Sequence, residues 1–257
     1  ARHERPGQDR LSPRRRSQEL LMPPSMAALA GFLEDAGVAQ WGVAACPDEP
    51  WPYAPPLPRA VSIGVALTPA IIGAVAGGPT AAYYAEYRRV NASLAAAGQS
   101  LAALLRDGGA VAEPLEPTVG YKTGRDMTAA GLFAHKTAAT QAGLGWIGKT
   151  AIFVSPRLGP WVRLATVFTD ADLPAAEPVT EGRCAGCRRC VDACPAGAGR
   201  DVRWRAGMPR DELLDVVACL RETEANSGVA GGLCGVCVAV CPFGRRLLRD
   251  RRTGAPA

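Results

Sequence analysis

The stretch CAGCRRCVDACP, residues 184–195, decides the class of this protein. Its four cysteines have the spacing C-x2-C-x2-C-x3-C-P, which binds two [4Fe–4S] clusters in bacterial iron–sulfur proteins. In that arrangement the first three thiolates hold one cluster, and the fourth cysteine, here Cys194, reaches across to the other. The motif therefore predicts that the rest of the chain supplies one more ligand for the first cluster and three more for the second.

Those cysteines follow downstream. The stretch CGVCVAVCP, residues 234–242, contains three of them, and Cys219 precedes it. The predicted ligands of the first cluster are Cys184, Cys187, Cys190 and Cys241. The predicted ligands of the second cluster are Cys194, Cys219, Cys234 and Cys237. We expect the ninth cysteine, Cys46, to be a small core residue at the end of a strand.

Two other uses of cysteine fit this pattern less well. Structural zinc also uses C-x2-C pairs, but four ligands per ion would leave the third cysteine of each run and both Cys-Pro endings without a role. Disulfides are typical of small secreted proteins, and cysteines so close in sequence are poor bridging partners. The spacing favours clusters that carry electrons.

Composition and charge limit the remaining classes. The chain has 257 residues and a formal net charge of +5. Two oxidised clusters, each with a net charge of about −2 including its thiolates, would bring the protein close to neutral, so the charge is weak evidence for nucleic-acid binding. No apolar run approaches the roughly 18–20 residues of a membrane span. A twin-arginine signal is not favoured, because Glu34 and Asp35 interrupt the apolar stretch. We expect a cytoplasmic monomer.

The order of elements predicts an α/β (α+β) domain over residues 25–175, followed by a ferredoxin-like double-cluster domain over 178–245. A disordered basic arm, 1–24, and a basic tail, 246–257, are expected at the ends. Predicted helices include MAALAGFLEDAG, ended by Gly37, and a long one from about Thr80 to Asp107. Predicted strands include WGVAAC, AVSIGVAL and two within TAIFVSPRLGPWVRLATVFTD.

The stretch GLGWIG, residues 143–148, matches the dinucleotide motif G-x-G-x-x-G. That motif requires a strand before the loop and a helix after it, whereas here a helix precedes and a strand follows. Trp146 also occupies a place where bare backbone is needed. These glycines are better explained by close approach to another flat or bulky group.

The block HKTAATQAGLGWIGKTAIFVSPRLGPWVRLATVFTDADLP, followed by the eight cysteines, resembles the epoxyqueuosine reductases and their shorter double-cluster relatives. Reductive dehalogenases share the same plan. The resemblance implies a cobalamin-binding N-terminal domain that receives electrons through the two clusters. It also implies that a ferredoxin or flavodoxin supplies those electrons. It predicts corrinoid contacts for Gly145, Trp146, Gly148 and Lys149.

The sequence departs from the family pattern at the proton donor, because Ala129 stands where the family has its aspartate. Asp126 and His135 are the alternative candidates for that catalytic role, and His135 is not expected to bind cobalt. We also expect the helical-repeat extension, by which longer members grip tRNA, to be missing after the cysteines. We therefore expect a small-molecule substrate rather than tRNA, with weak tRNA binding. The alternatives are a cluster-only electron carrier that serves a partner enzyme and a true tRNA epoxyqueuosine reductase.

Overall fold

The computed structural model describes residues 24–46, 57–117 and 133–253, so most of the expected basic arm, Asp126 and Ala129 lie outside the described residues. The helices are α1 (Met26–Asp35), α2 (Pro69–Ala74), α3 (Ala81–Asp107), α4 (His135–Gln141), α5 (Arg189–Asp192), α6 (Val216–Ala225), α7 (Ser227–Ala230), α8 (Val236–Ala239) and α9 (Pro242–Thr253). The strands are β1 (Gln40–Ala45), β2 (Arg59–Ala66), β3 (Ala112–Leu115), β4 (Trp146–Ile147), β5 (Phe153–Val154) and β6 (Val162–Thr169). Two 3₁₀ turns occupy Val75–Gly77 and Arg210–Glu212.

Four strands form the main sheet in the order β1-β2-β6-β3, and every neighbouring pair is antiparallel. Seven of the eight residues of β6 are buried, because it lies between β2 and β3 and helix α3 packs against it. The mixed α/β class is therefore confirmed. Since none of these strands runs parallel, the packing is α+β in the strict sense, with helices against an antiparallel sheet.

The main predicted elements are confirmed. Helix α1 stops before Gly37, whose φ of 74° lies in the left-handed region that glycine tolerates. Helix α3 begins after Thr80, whose hydroxyl accepts a hydrogen bond from the Tyr83 amide at 3.1 Å. Helix α4 precedes β4, which is the reverse of the dinucleotide-binding order. No described helix is both long and apolar enough to cross a membrane.

The cluster segment does not have a core of its own. Val238 and Ala239 belong to the main core beneath the sheet, and Trp204 and Leu213 share a second core with Trp146. The predicted division near residues 175–178 therefore marks a change in composition rather than a gap in packing, and the domain boundaries remain a prediction.

The expected basic tail, from residue 246, begins inside helix α9, which runs from Pro242 to Thr253. This helix packs against α2, where Leu248 lies so close to Gly73 that a Cβ there would come within 2.9 Å of it. The alternation of leucine and arginine gives α9 an apolar face, and burial of that face explains why a basic segment is ordered.

Candidate iron–sulfur centre and cofactor cavity

The eight cysteines of the cluster segment form two groups of mutual electrostatic neighbours. One group contains Cys184, Cys187, Cys190 and Cys241. The other contains Cys194, Cys219, Cys234 and Cys237. Cys190 and Cys237, one from each group, line the same small cavity. The spacing predicts this same grouping, and the role of the eight thiols as cluster ligands stays a prediction.

Several N–H groups donate to these sulfurs. The indole Nε1 of Trp146 donates to Cys184 Sγ at 3.4 Å, and the Ala198 amide donates to Cys194 Sγ at 3.4 Å. The two backbone amides that follow Pro242 donate to the Cys241 sulfur. Donors of this kind orient metal ligands and stabilise negative charge on sulfur. They fit thiolates that bind iron.

Burial raises the pKa of five of these thiols, and it is the largest cause in each case. The five are Cys190, Cys219, Cys234, Cys237, whose pKa rises to about 12, and Cys241, whose pKa rises to about 11. Without a metal such thiols keep their protons at neutral pH, whereas metal binding replaces the proton and supplies positive charge. The donor set therefore fits two iron–sulfur clusters.

The two cysteine loops repeat one local conformation. The residue after the first cysteine has a positive φ in both, 44° at Ala185 and 79° at Gly235. A Cβ on Gly235 would come within 2.5 Å of the Tyr83 ring, so this loop needs glycine. Each loop continues into a short helix, α5 or α8, that ends just before a Cys-Pro pair. This repetition is what a two-cluster ferredoxin motif predicts.

Disulfides and a zinc site are the alternative uses of these cysteines. None of the nine cysteines forms a disulfide. Within the described residues, no three His, Cys, Asp or Glu side chains converge closely enough to hold one metal ion. A tetrahedral zinc ion would require its sulfurs within about 4 Å of one another, since Zn–S bonds are about 2.3 Å long. The C-x2-C-x2-C-x3-C-P spacing in the sequence remains the observation that favours a cluster.

A short hairpin, β4–β5, separates two cavities. On one face of the hairpin, a large cavity is lined by Ile147, Ala151 and Phe153. On the other face, a small cavity among the predicted cluster cysteines is lined by Gly148, Thr150 and Val154. Ile152 lines both cavities. The division follows from the alternation of side chains along a strand, and it makes the hairpin a wall one ribbon thick.

The four residues predicted to contact a corrinoid do not line the large cavity. Gly145, Trp146, Gly148 and Lys149 are all absent from the lining of the large cavity, and Gly148 instead lines the small one. Trp146 is 1% exposed and packs edge-on against Phe243, with ring centroids 5.0 Å apart, while its N–H reaches Cys184. For Trp146 and Gly148 the reason is register, because both lie on the cluster face of the hairpin.

Gly145 and Lys149 have structural roles at the two ends of this turn. A Cβ on Gly145 would come within 2.2 Å of the Val154 carbonyl oxygen. The Lys149 ammonium is buried and pairs with Asp201, with Nζ and Oδ1 2.7 Å apart. The interpretation of the glycines as sites of close approach is supported, but the approaching group is the neighbouring strand.

The large cavity has a volume of about 1150 Å³. Its walls come from α4, β6, the hairpin and the segment between residues 204 and 213. Three cationic side chains line it, Lys136, Arg163 and Arg210, beside one carboxylate, Asp211. Pockets for drug-sized ligands usually occupy roughly 300–1,000 Å³. This cavity therefore suits a bulky ligand that carries anionic groups.

Lys136 is a titratable residue of this cavity that the sequence analysis did not identify. Its Nζ donates to the Ala151 carbonyl oxygen at 2.8 Å. Burial, followed by the charge of Arg210, lowers its pKa from 10.5 to about 8. An ammonium with that pKa can release a proton near neutral pH. The only signal in the sequence is its position beside His135 in the first turn of α4.

His135 has a structural role. Its Nε2 donates to the Glu116 carbonyl oxygen at 2.9 Å, so Nδ1 accepts the hydrogen bond from Thr166 Oγ1 at 2.9 Å. Burial is the main reason that its pKa falls to about 4, and the charge of Arg163 lowers it further. Both ring nitrogens are engaged, so the expectation of His135 as a catalytic acid is not supported. The other candidate, Asp126, lies outside the described residues.

Replacing His135 by glutamine should weaken the dependence of stability on pH. The folded pKa of about 4 lies below the unfolded value of about 6.5, so the stabilisation is complete above pH 6.5 and is lost as the pH falls toward 4. Between pH 7.5 and 5.5 the wild type should lose about 1.4 kcal/mol more unfolding free energy than His135→Gln. Urea titrations of both proteins at the two pH values measure this difference. An identical loss in both would contradict the neutral buried imidazole.

Residues 183–244 match the family model of the 4Fe-4S double cluster binding domain. Among curated proteins, epoxyqueuosine reductase of Lactococcus garvieae (strain Lg2) is 30% identical over 165 residues, covering 62% of this chain and 46% of that protein. Tetrachloroethene reductive dehalogenase of Sulfurospirillum multivorans is 35% identical over 117 residues, covering 41% of this chain and 22% of that protein. The chain thus spans less than half the length of these curated relatives.

Solved structures show the same fold. A reductive dehalogenase, whose structure was described as suggesting a mechanism for B12-dependent dehalogenation, superposes with a TM-score of 0.65 at 20% identity, covering 90% of this chain and 36% of that one. An epoxyqueuosine reductase bound to a tRNA-Tyr epoxyqueuosine-modified stem loop superposes with a TM-score of 0.54 at 18% identity, covering 90% and 66%.

The double-cluster match and these relatives make the chain similar to a class of proteins, the iron–sulfur oxidoreductases. Within this class the chain is epoxyqueuosine reductase-like, and the resemblance predicted from its sequence is confirmed.

Proposed function

We propose that the chain is an oxidoreductase that binds two [4Fe–4S] clusters and, in the large cavity, a corrinoid. The observation that carries this proposal is the hairpin β4–β5, which separates the cysteine-lined cavity from the large one by a single ribbon. Because Ile152 lines both cavities, ligands in the two would be about one side chain apart. Electron transfer requires such proximity, since its rate falls steeply with distance.

The shape and charge of the large cavity support a corrinoid. When bound, a corrinoid supplies a cobalt centre that can be reduced and can then react with a substrate. Lys136, Arg163 and Arg210 would offset the charge of anionic groups on the ligand. The remaining wall is largely apolar and includes Ile147, Phe153 and Leu164, which limit the access of water.

Lys136 is the residue that we assign as the proton source in the cavity. Its Nζ is held against the hairpin by the Ala151 carbonyl oxygen, and its lowered pKa allows transfer of a proton to a reduced substrate. In this scheme a ferredoxin or flavodoxin supplies electrons, and a small molecule is the substrate. A corrinoid-free electron carrier and a tRNA epoxyqueuosine reductase remain the competing functions.

The variant Ala176→Trp should reduce cobalamin binding at least tenfold, because Ala176 lines the large cavity and an indole there would fill part of it. Ala175→Trp is the matched control, since Ala175 is exposed and does not line the cavity. Binding is measured anaerobically by absorbance titration of the cluster-loaded proteins with cobalamin. Equal affinities of both variants would place the corrinoid elsewhere.

The same preparations test the competing functions. Iron-loaded wild type that binds no cobalamin under reducing conditions would favour the electron carrier. With cobalamin bound and a chemical reductant present, turnover of halogenated or epoxide small molecules supports the proposal. Robust conversion of epoxyqueuosine in tRNA at physiological salt would instead favour the tRNA enzyme.

A further inference from the structure

The indole of Trp146 lies on the cluster face of hairpin β4–β5 and reaches a predicted cluster ligand. Its side chain is buried, and its Nε1 donates to Cys184 Sγ at 3.4 Å. Cys184 lines the small cavity together with the other three predicted ligands of the first cluster, Cys187, Cys190 and Cys241. The indole N–H is therefore directed at the ligand set of the first cluster.

Packing on two sides fixes the orientation of this ring. Phe243, two residues after Cys241, meets the indole edge-on with ring centroids 5.0 Å apart. The guanidinium of Arg183, directly before Cys184, lies 5.8 Å from the centroid of the Trp146 ring. The ring is thus held by neighbours of two predicted ligands of the same cluster. Its N–H cannot turn away from the sulfur unless these neighbours repack.

A second buried tryptophan contacts the other cysteine loop in a different way. The Nε1 of Trp161 donates to the backbone carbonyl oxygen of Val238 at 2.9 Å, one residue after Cys237. That hydrogen bond holds the loop in place, but it ends on a carbonyl oxygen rather than on a sulfur. Of these two indoles, the one of Trp146 therefore acts directly on a predicted ligand atom.

A hydrogen bond to a ligand sulfur favours the reduced state of a cluster. Reduction adds one electron, so the charge of the cluster with its thiolates changes from about −2 to about −3. The N–H bond strengthens with this charge, because hydrogen bonds to charged groups are roughly twice as strong as neutral ones, and burial strengthens it further. Hydrogen bonds to the sulfurs are one of the factors that set cluster potentials.

We propose that Trp146 is a positioning residue for electron transfer, which raises the reduction potential of the first cluster, and not that of the second, through its N–H···S hydrogen bond to Cys184. This inference rests on the proposed function for the presence of both clusters. In the step concerned, one electron from the ferredoxin or flavodoxin enters the first cluster. No covalent bond forms or breaks, and the indole keeps its proton throughout.

The test compares two variants at position 146 with a matched control. Trp146→Phe removes the N–H together with part of the ring. Benzothienylalanine at position 146, introduced by stop-codon suppression, keeps the bicyclic shape and has sulfur in place of the N–H. Trp204→Phe is the control, because Trp204 is buried in the same core but lines the large cavity rather than the small one. Each protein is analysed for iron and sulfide and undergoes an anaerobic redox titration with EPR detection.

In both variants at position 146 we expect one midpoint potential to fall by about 59 mV, which corresponds to a tenfold change for a one-electron couple. The other midpoint, and both midpoints of Trp204→Phe, should match the wild type. Unchanged potentials in the iron-loaded benzothienylalanine variant would overturn the inference and leave the proposed function intact. Equal shifts of both midpoints, or the same shift in Trp204→Phe, would overturn it as well. A wild type without two clusters would instead overturn the proposed function itself.

Pulsed EPR gives a second readout that depends on the hydrogen bond alone. The reduced wild type is prepared with ¹⁵N in the indole rings of its tryptophans. We expect a ¹⁵N hyperfine coupling that disappears in the benzothienylalanine variant, which also replaces Trp146→Phe in the comparison if the smaller ring causes loss of iron. A wild type that holds both clusters and shows no such coupling would contradict the inference.

Discussion

Replacing Cys219 by serine is expected to reduce the iron content from about eight to about four atoms per chain, because only the second cluster depends on this cysteine. Cys219 lies among the thiols of Cys194 and Cys234, on α6, away from the first group. Its loss leaves three sulfurs, and the remaining buried thiols would regain protons rather than hold iron. Iron and sulfide analysis of anaerobically purified protein, together with EPR of the reduced state, measures the change.

Cys46→Ser is the control for this experiment. Cys46 is 3% exposed and lies near β1, where its sulfur donates weakly to the Ala44 carbonyl oxygen. It packs with Ala44, Leu57 and Phe168 in a core cluster separate from those of the cysteine loops, so both clusters should remain. Full iron in Cys219→Ser, or zinc in place of iron in the wild type, would contradict the assignment of the eight cysteines.

The variant Gly145→Ala is expected to lower the free energy of unfolding by about 3 kcal/mol, the upper range for overpacking. An added Cβ would come within 2.2 Å of the Val154 carbonyl oxygen and 2.9 Å of the Phe153 ring. The first contact is with backbone, so strands β4 and β5 would have to separate. Because this hairpin forms the wall between the cavities, cobalamin affinity should fall as well.

Gly31→Ala is the matched control, because Gly31 lies within α1 and an added Cβ there meets nothing within 4 Å. Alanine in a helix interior should raise stability by about 0.5–1 kcal/mol relative to glycine. Urea unfolding of the three proteins gives the comparison. A Gly145→Ala protein as stable as the wild type would show that the hairpin tolerates separation.

The sequence predicted the elements that local patterns specify. Apolar periodicity and terminal residues located α1 and α3, and alternating or continuous apolar runs located β1, β2 and β6. Sequence also predicted the two groups of cysteines, because a cluster loop is a local motif with its own spacing. The ends of α1 and α3 follow from Gly37 and Thr80, which act through contacts within a few residues.

The side chains of the cavity could not be predicted in the same way. Lys136 and His135 are adjacent in sequence, yet burial leaves Lys136 on the large cavity with a lowered pKa and commits both nitrogens of His135 to hydrogen bonds. Those partners, Glu116, Thr166 and Ala151, lie at sequence distances from 15 to 31 residues. Only the packing of α4 against β6 and the hairpin brings them together.

By itself, the sequence determined that this chain has a double-cluster motif, a mixed α/β fold and a resemblance to epoxyqueuosine reductases, because each depends on residue types at fixed spacing. Only the tertiary structure decided which face of GLGWIGKT meets the clusters. Trp146 and Gly148, two of the residues expected at a corrinoid, lie on the cysteine side of the hairpin. The physical reason is that a shift of one residue along a strand reverses the direction of the side chain, and the contacts that set this register come from distant parts of the chain.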